Sequence, residues 1–189
     1  MFIYLKHFNQ KNINFDKPGQ YVVYFYNVSG EIRFDINACN VHLYVFGLYK
    51  GSKDESFSLE TRQFHHVANS YSQVLVKSVM SEESSFIYDG LIRIEKQAVK
   101  THAYQKNMNM LLSKKASVVS RPFLEILTND VFCTHASSTG QLDGNLLHYL
   151  QSRGLGVENA KQLLIDGFIN DIFQQMKNLE PDYKIKIDL

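Results

Sequence analysis

Tryptophan is absent from the 189 residues, proline occurs three times and cysteine twice. Two cysteines, Cys39 and Cys133, are too few for a disulfide framework. A chain of this length does not need one, since it can bury roughly two-thirds of its unfolded surface. A lone cysteine in a reducing compartment is most often a small buried hydrophobe, and Cys39 is expected to be one. No apolar run approaches the roughly 20 residues of a membrane span. The first ten residues lack the basic region, apolar core and small-residue cleavage site of a signal peptide. Cytoplasm is therefore the expected location, with no membrane partner. Charge of one sign is also missing. Twenty Lys and Arg face 19 Asp and Glu, for a formal net charge of +1. No basic block stands out, which removes the electrostatic footprint of nucleic-acid binding.

What is present is ordinary for a globular domain: 44% hydrophobic, 21% charged and 13% aromatic residues, all Phe and Tyr. The first two-thirds read as β. Short β-branched or aromatic segments fall at 20–26, 31–36, 41–48, 56–64, 73–79, 85–94, 118–127 and 131–135. Alternation puts Ile32, Phe34 and Ile36 on one face, and Val41, Leu43 and Val45 on another. A strand about every ten residues fits a sandwich, a barrel or a β-solenoid. Tight-hairpin signals are scarce, with Asp89-Gly90 one candidate, which leans towards a solenoid. No strict repeat is visible. The pattern changes near Gln141. Leu146, Leu147 and Leu150 take helical spacing after an N-cap at Asp143, and Gly154 ends that helix. A second helix is expected over 157–176, with Ala160, Leu163, Leu164, Gly167, Phe168 and Ile172 as its apolar face. The tail Tyr183, Ile185, Ile187, Leu189 alternates like one more strand. Two units follow: a β core over 1–140, and a helical subdomain with a terminal strand over 141–189.

Three blocks carry a family resemblance. The first is Phe86-Ile87-Tyr88-Asp89-Gly90-Leu91-Ile92-Arg93-Ile94, then Ala98 and Thr101. The second is Gln105-Lys106-Asn107-Met108-Asn109-Met110-Leu111-Leu112-Ser113. The third runs from Pro122-Phe123-Leu124-Glu125-Ile126 through Asp130-Val131, Cys133-Thr134-His135 and Gly140-Gln141-Leu142-Asp143 to Tyr149-Leu150-Gln151-Ser152-Arg153-Gly154-Leu155. In order and near-spacing these resemble the core of the SufB/SufD family of iron–sulfur cluster assembly, and the SufD type more closely. The resemblance covers a little over half of the chain. It implies a right-handed parallel β-helix with C-terminal helices that dock the ABC-type ATPase SufC. Family members also have an N-terminal helical region without a counterpart here, as in a minimal version. Three departures stand out. The family's His-Gly-Ala reads His135-Ala136-Ser137, its Thr-Asp-Ala reads Thr101-His102-Ala103, and Asn107 falls where SufB-type members carry a scaffold cysteine.

Cys133 and His135, two apart on a strand, share a face, and thiolate plus imidazole can ligate iron or zinc. Alone, Cys-x-His is a weak signal; the resemblance gives it weight. In a solenoid, His102 could stack near His135 from one coil away. Glu125 matches the family's acid and is a carboxylate ligand or a structural acceptor. His65 and His66 point to opposite faces and make a poor chelate. No phosphate-binding glycine motif occurs, so this chain binds no nucleotide and any ATP hydrolysis belongs to a partner. The expected function is a non-catalytic subunit of a SUF-type assembly complex. It pairs with itself or a SufB-like chain through the β body. It docks a SufC-like ATPase through Leu146, Leu147, Leu150, Arg153, Leu163, Leu164 and Phe168, and it handles a transient iron–sulfur cluster near Cys133 and His135. Two alternatives stand beside it. One is a structural adaptor that lacks cluster chemistry, which Asn107 favours. The other is a β-helix carbohydrate-active enzyme, which needs a carboxylate pair that the sequence does not offer.

Overall fold

The computed structural model describes residues 1–7 and 10–181. Among the described residues eleven strands precede two helices. The odd strands are β1 (Phe2–Leu5), β3 (Gly19–Tyr26), β5 (Val41–Gly51), β7 (Tyr71–Met80), β9 (Thr101–Leu111) and β11 (Val131–Gln141). They form one six-stranded sheet in that order. The even strands are β2 (Gln10–Phe15), β4 (Gly30–Ile36), β6 (Ser56–His65), β8 (Ser85–Ile94) and β10 (Ser117–Ile126). They form a second sheet in the order β10-β8-β6-β4-β2. Every pairing is parallel. The chain thus alternates between two sheets and advances one strand per sheet with each coil, which is a parallel β-solenoid. Strand partners are 20 to 22 positions apart in the first coils, and hydrogen bonds between the later coils span 29 to 32 positions.

The corners explain why hairpin signals are scarce. At one corner Asn40, Asn69 and Lys100 adopt positive φ, and at the other Asn27, Lys53 and Glu82 do. Asparagine tolerates this left-handed conformation better than most residues. The corners stack: Asn40 N–H donates to the Asn69 carbonyl (2.8 Å), and Asn69 N–H to that of Val99 (3.0 Å). A chain that turns left-handed single corners need not reverse. Asp89-Gly90 is not a turn; both residues lie mid-strand in β8.

The alternation set at the sequence level is kept. Ile32, Phe34, Ile36, Val41, Leu43 and Val45 all belong to the core between the sheets. That core is apolar through the first coils and becomes polar towards the last ones. There Thr61, Gln63, His65, Ser72, Ser78, Gln105, Asn107 and Asn109 are buried. Cys39 departs from expectation: it is exposed at a corner, where the chain has left the strand and offers no inward side.

Helix α1 (Gly144–Ser152) starts where expected, with the Asp143 carboxylate accepting from Asn145 N–H at 2.8 Å. Gly154, with φ 93°, follows its end. Helix α2 (Val157–Leu179) lies across the outer face of the six-stranded sheet. Its buried side chains are Ala160, Ile165, Ile169, Ile172 and Met176. The apolar face expected from the sequence is kept at Ala160 and Ile172 and rotated between them. Leu163 is exposed, as is Gly167, while the stripe Ile165-Ile169-Ile172-Met176 meets Val22, Tyr24, Phe46, Leu48, Leu75 and Val79. Burying such side chains stabilises by about 1.5–3 kcal/mol apiece. Among the described residues no helix is long and apolar enough to cross a membrane. The alternating tail from Tyr183 lies outside the described residues.

Candidate functional site at the open coil

Among the described residues no further coil follows the last one. β10 and β11 each end their sheet, so one edge of each strand carries backbone donors and acceptors without a ladder partner. Hydrophobic side chains gather here. Val119, Phe123 and Ile126 on β10, Leu127 beyond it and Phe132 on β11 are exposed, Phe132 to 65%. The two edges are unlike. β10 contains Pro122, Arg121 and Glu125, while the eleven residues of β11 include no proline and no acidic or basic residue other than His135.

Register decides which side chains of β11 face inwards. Cys133 pairs with Ala103, His135 with Gln105, Ser137 with Asn107 and Thr139 with Asn109. Their β9 partners are all buried between the sheets. Cys133 is half-buried and packs with Ile92, Ile94, Ala98 and Ala103. His135 is on the same face, as its two-residue spacing predicts, and is exposed because no further coil covers it. Burial pushes the Cys133 thiol up to about 11. At neutral pH it is protonated, and a metal ion would have to take the proton's place. The neighbouring imidazole does not activate it within this chain.

Beneath these residues lies the polar end of the interior. Asn109 Nδ2 donates to Asn107 Oδ1 (2.7 Å) and to Thr139 Oγ1 (3.1 Å), and Ser78 Oγ donates to Asn109 Oδ1 (2.7 Å). Gln105 Nε2 donates to the Gly90 carbonyl at 3.3 Å. A Cβ at position 90 would overlap that amide, which is the physical need for glycine in the middle of β8. Among the described residues Gln63 Nε2, Gln105 Oε1 and Ser120 Oγ are buried without a hydrogen-bond partner. Such groups make this end of the interior a place for ordered water.

The other candidates are elsewhere. His102 pairs in register with Phe132, not His135, and its ring lies tilted against Phe132 at 4.8 Å between centroids. It faces outwards, three positions along the strand from His135's partner, so the stacking expected from one coil away does not occur. Glu125 is on the outer face of β10 and accepts from Arg93 at 3.3 Å. There it shares Arg93 with Glu95. His65 and His66 do point opposite ways: His65 is buried against Ser70 and Ser72, and His66 reaches Asp35 at 2.8 Å on the surface. Among the described residues no three His, Cys, Asp or Glu side chains come together as a metal site. Among the described residues this edge therefore offers one thiol and one imidazole.

The helical residues form a second candidate surface. Leu146, Arg153 and Leu163 are exposed, as is Tyr149, which sequence reasoning did not single out. Leu147, Leu150 and Leu164 are half-buried. Phe168 is half-buried too, spent on contact with Lys77.

Residues 5–168 match the family model described as SUF system FeS cluster assembly, SufBD core domain. The iron-sulfur cluster assembly protein SufD of Escherichia coli (strain K12) is 30% identical over 143 residues, covering 76% of this chain and 34% of that protein. SufD of Bacillus subtilis (strain 168) is 34% identical over 127 residues, 67% of this chain and 29% of its own. SufD of Plasmodium berghei (strain Anka) is 27% identical across 97% of this chain and 15% of its own length. The chain thus spans about a third, or less, of the curated relatives it matches.

Proposed function

Because this chain belongs to the SufBD core family of the SUF iron–sulfur cluster assembly system, we propose that it is a non-catalytic scaffold subunit of such a system. The open coil is the surface for a second solenoid, either another copy or a SufB-like chain. The exposed side of α1 and α2 is the docking surface for a SufC-like ABC ATPase, which supplies the nucleotide chemistry that no motif here provides. The nascent cluster is cargo, held transiently where Cys133 and His135 meet ligands from the other chain.

One observation carries this reading: the inward-facing thiol and imidazole of the last coil sit on a strand without Lys, Arg, Asp or Glu, whose outer edge has no partner among the described residues. Two ligands are too few for an iron site, and an edge strand is built to be completed by another strand. The half-buried thiol, protonated when alone, gains a reason to ionise only when iron arrives.

The test is anaerobic reconstitution with iron and sulfide, read by visible absorption and iron counting. The wild type should bind iron with charge-transfer bands, and Cys133→Ala should lose most of both. Equal iron in the two proteins would remove Cys133 from the site. No iron in either would favour the second reading, a structural adaptor whose cluster ligands come wholly from its partner. The raised thiol and the amide at Asn107 support that second reading.

A further inference from the structure

Helix α2 meets the solenoid through a stripe that repeats itself. Ile165, Ile169, Ile172 and Met176 are spaced four, three and four residues apart. A displacement of one helical turn, about 5.4 Å, carries each of them close to the place of the next. Apolar contact is non-directional, so this stripe distinguishes poorly between neighbouring axial positions of the helix.

Polar contacts do distinguish them. Two lie at the C-terminal part of the helix, where Gln20 Nε2 donates to the Leu179 carbonyl at 2.7 Å and Gln73 Nε2 to Gln175 Oε1 at 3.5 Å; the charged and buried one is at its middle. Lys77, on β7, is the one buried cation among the described residues, at 2% exposure. Its register neighbours on the sheet are Leu48 and Met108, which offer it no acceptor. Both of its hydrogen bonds go to α2: to the Phe168 carbonyl at 2.8 Å and to Asp171 Oδ2 at 2.6 Å. The ammonium also sits over the Phe168 ring, 4.6 Å from its centroid. Asp171 is steadied in turn by Gln175 Nε2 at 3.0 Å. One turn in one direction would put Gln175 before Lys77, a neutral amide in place of a carboxylate. One turn in the other would put Gly167 there, with no side chain at all. Charge-assisted hydrogen bonds are roughly twice as strong as neutral ones, and a buried ammonium without a partner is costly.

We propose that Lys77 is the positioning residue that selects a single axial register for α2, and thereby fixes where the exposed faces of α1 and α2 stand relative to the open coil. The use of those faces as a docking surface rests on the function proposed above; the register belongs to this chain alone. Buried ion pairs are weak contributors to net stability but serve well as register devices, so loss of Lys77 should blur position more than it lowers stability.

Spin labels at Leu163→Cys on α2 and Val119→Cys on β10, both exposed positions, in a Cys39→Ser, Cys133→Ser background, read the register by pulsed dipolar spectroscopy. With Lys77 in place, one narrow distance is expected. Lys77→Met should add or substitute a population displaced by about 5 Å, while the thermal midpoint stays within a few degrees. Asp171→Asn should shift the distribution the same way by less. A single unchanged distance in Lys77→Met would overturn the proposal. So would an unfolded Lys77→Met together with an unchanged distance in Asp171→Asn. No second protein enters the measurement, so its failure leaves the docking reading untouched, and a failure of docking leaves this one untouched.

Discussion

His65 shows what a polar residue costs and gains inside a solenoid. Its two ring nitrogens lie 2.7 Å from Ser70 Oγ and Ser72 Oγ, and Ser72 donates onwards to Gln63. Burial first, and the neighbouring His66 second, lower it from the ordinary histidine value of 6.5 to about 3. In the unfolded chain the same side chain takes up a proton near 6.5. Between those two values the unfolded state binds the extra proton, so stability falls as pH falls. The slope is about 1.4 kcal/mol per pH unit inside the window. Urea unfolding at pH 7 and pH 5, compared between wild type and His65→Gln, should show a larger acid loss in the wild type. Parallel pH curves would mean that His65 is hydrated in the folded protein. Among the site residues, spacing on one strand sufficed for Cys133 and His135. His102 was misplaced because coil-to-coil distance cannot be counted without knowing the coil length, here about 30 residues.

At the scale of elements, strands whose inward side chains are mostly apolar were legible: β3 to β5, β7, β8, β10 and the start of β11 follow the alternation, and β6 was legible by its Phe, Leu and Thr content although Thr61, Gln63 and His65 point inwards. β9 was not. Its inward positions are Gln105, Asn107 and Asn109, while Met108 and Met110 face outwards towards α2. The usual pattern is inverted, so a fully paired central strand carries no hydrophobic signature. β1 and β2 are short and, in β2, rich in Lys and Asn. The helices were legible in place but not in phase. Leu163 and Leu164 are as apolar as Ile165 and Ile169, and only the sheet beneath decides which pair is covered. That rotation is measurable. Ile169→Ala should cost about 2–5 kcal/mol in urea unfolding, and Leu163→Ala should stay within about 0.5 kcal/mol. The reverse ranking would restore the face expected from sequence.

At the scale of the whole molecule, the solenoid reads as a graded rod. Its early coils are held by close-packed Phe, Tyr, Ile and Val, and its late coils by amide and hydroxyl contacts that stop at an uncovered edge. Assembly should therefore be sensitive to the character of β11. A charged residue on an edge strand discourages strand addition. Phe132→Lys, at an exposed outward position, should shift a concentration-dependent dimer to monomer in sedimentation. It should leave the unfolding midpoint nearly unchanged. A wild type that is monomeric at high concentration would point to a partner of different sequence at this edge.

The two outer edges of the last coil have unlike consequences for aggregation. An open edge is a template on which other chains can add strands. On β10, Pro122 removes a donor, and Arg121 and Glu125 place charge beside it. The edge of β11 has no such guard. A chain that displays it bare carries the molecule's aggregation hazard there, and whatever covers that strand also protects it against misassembly.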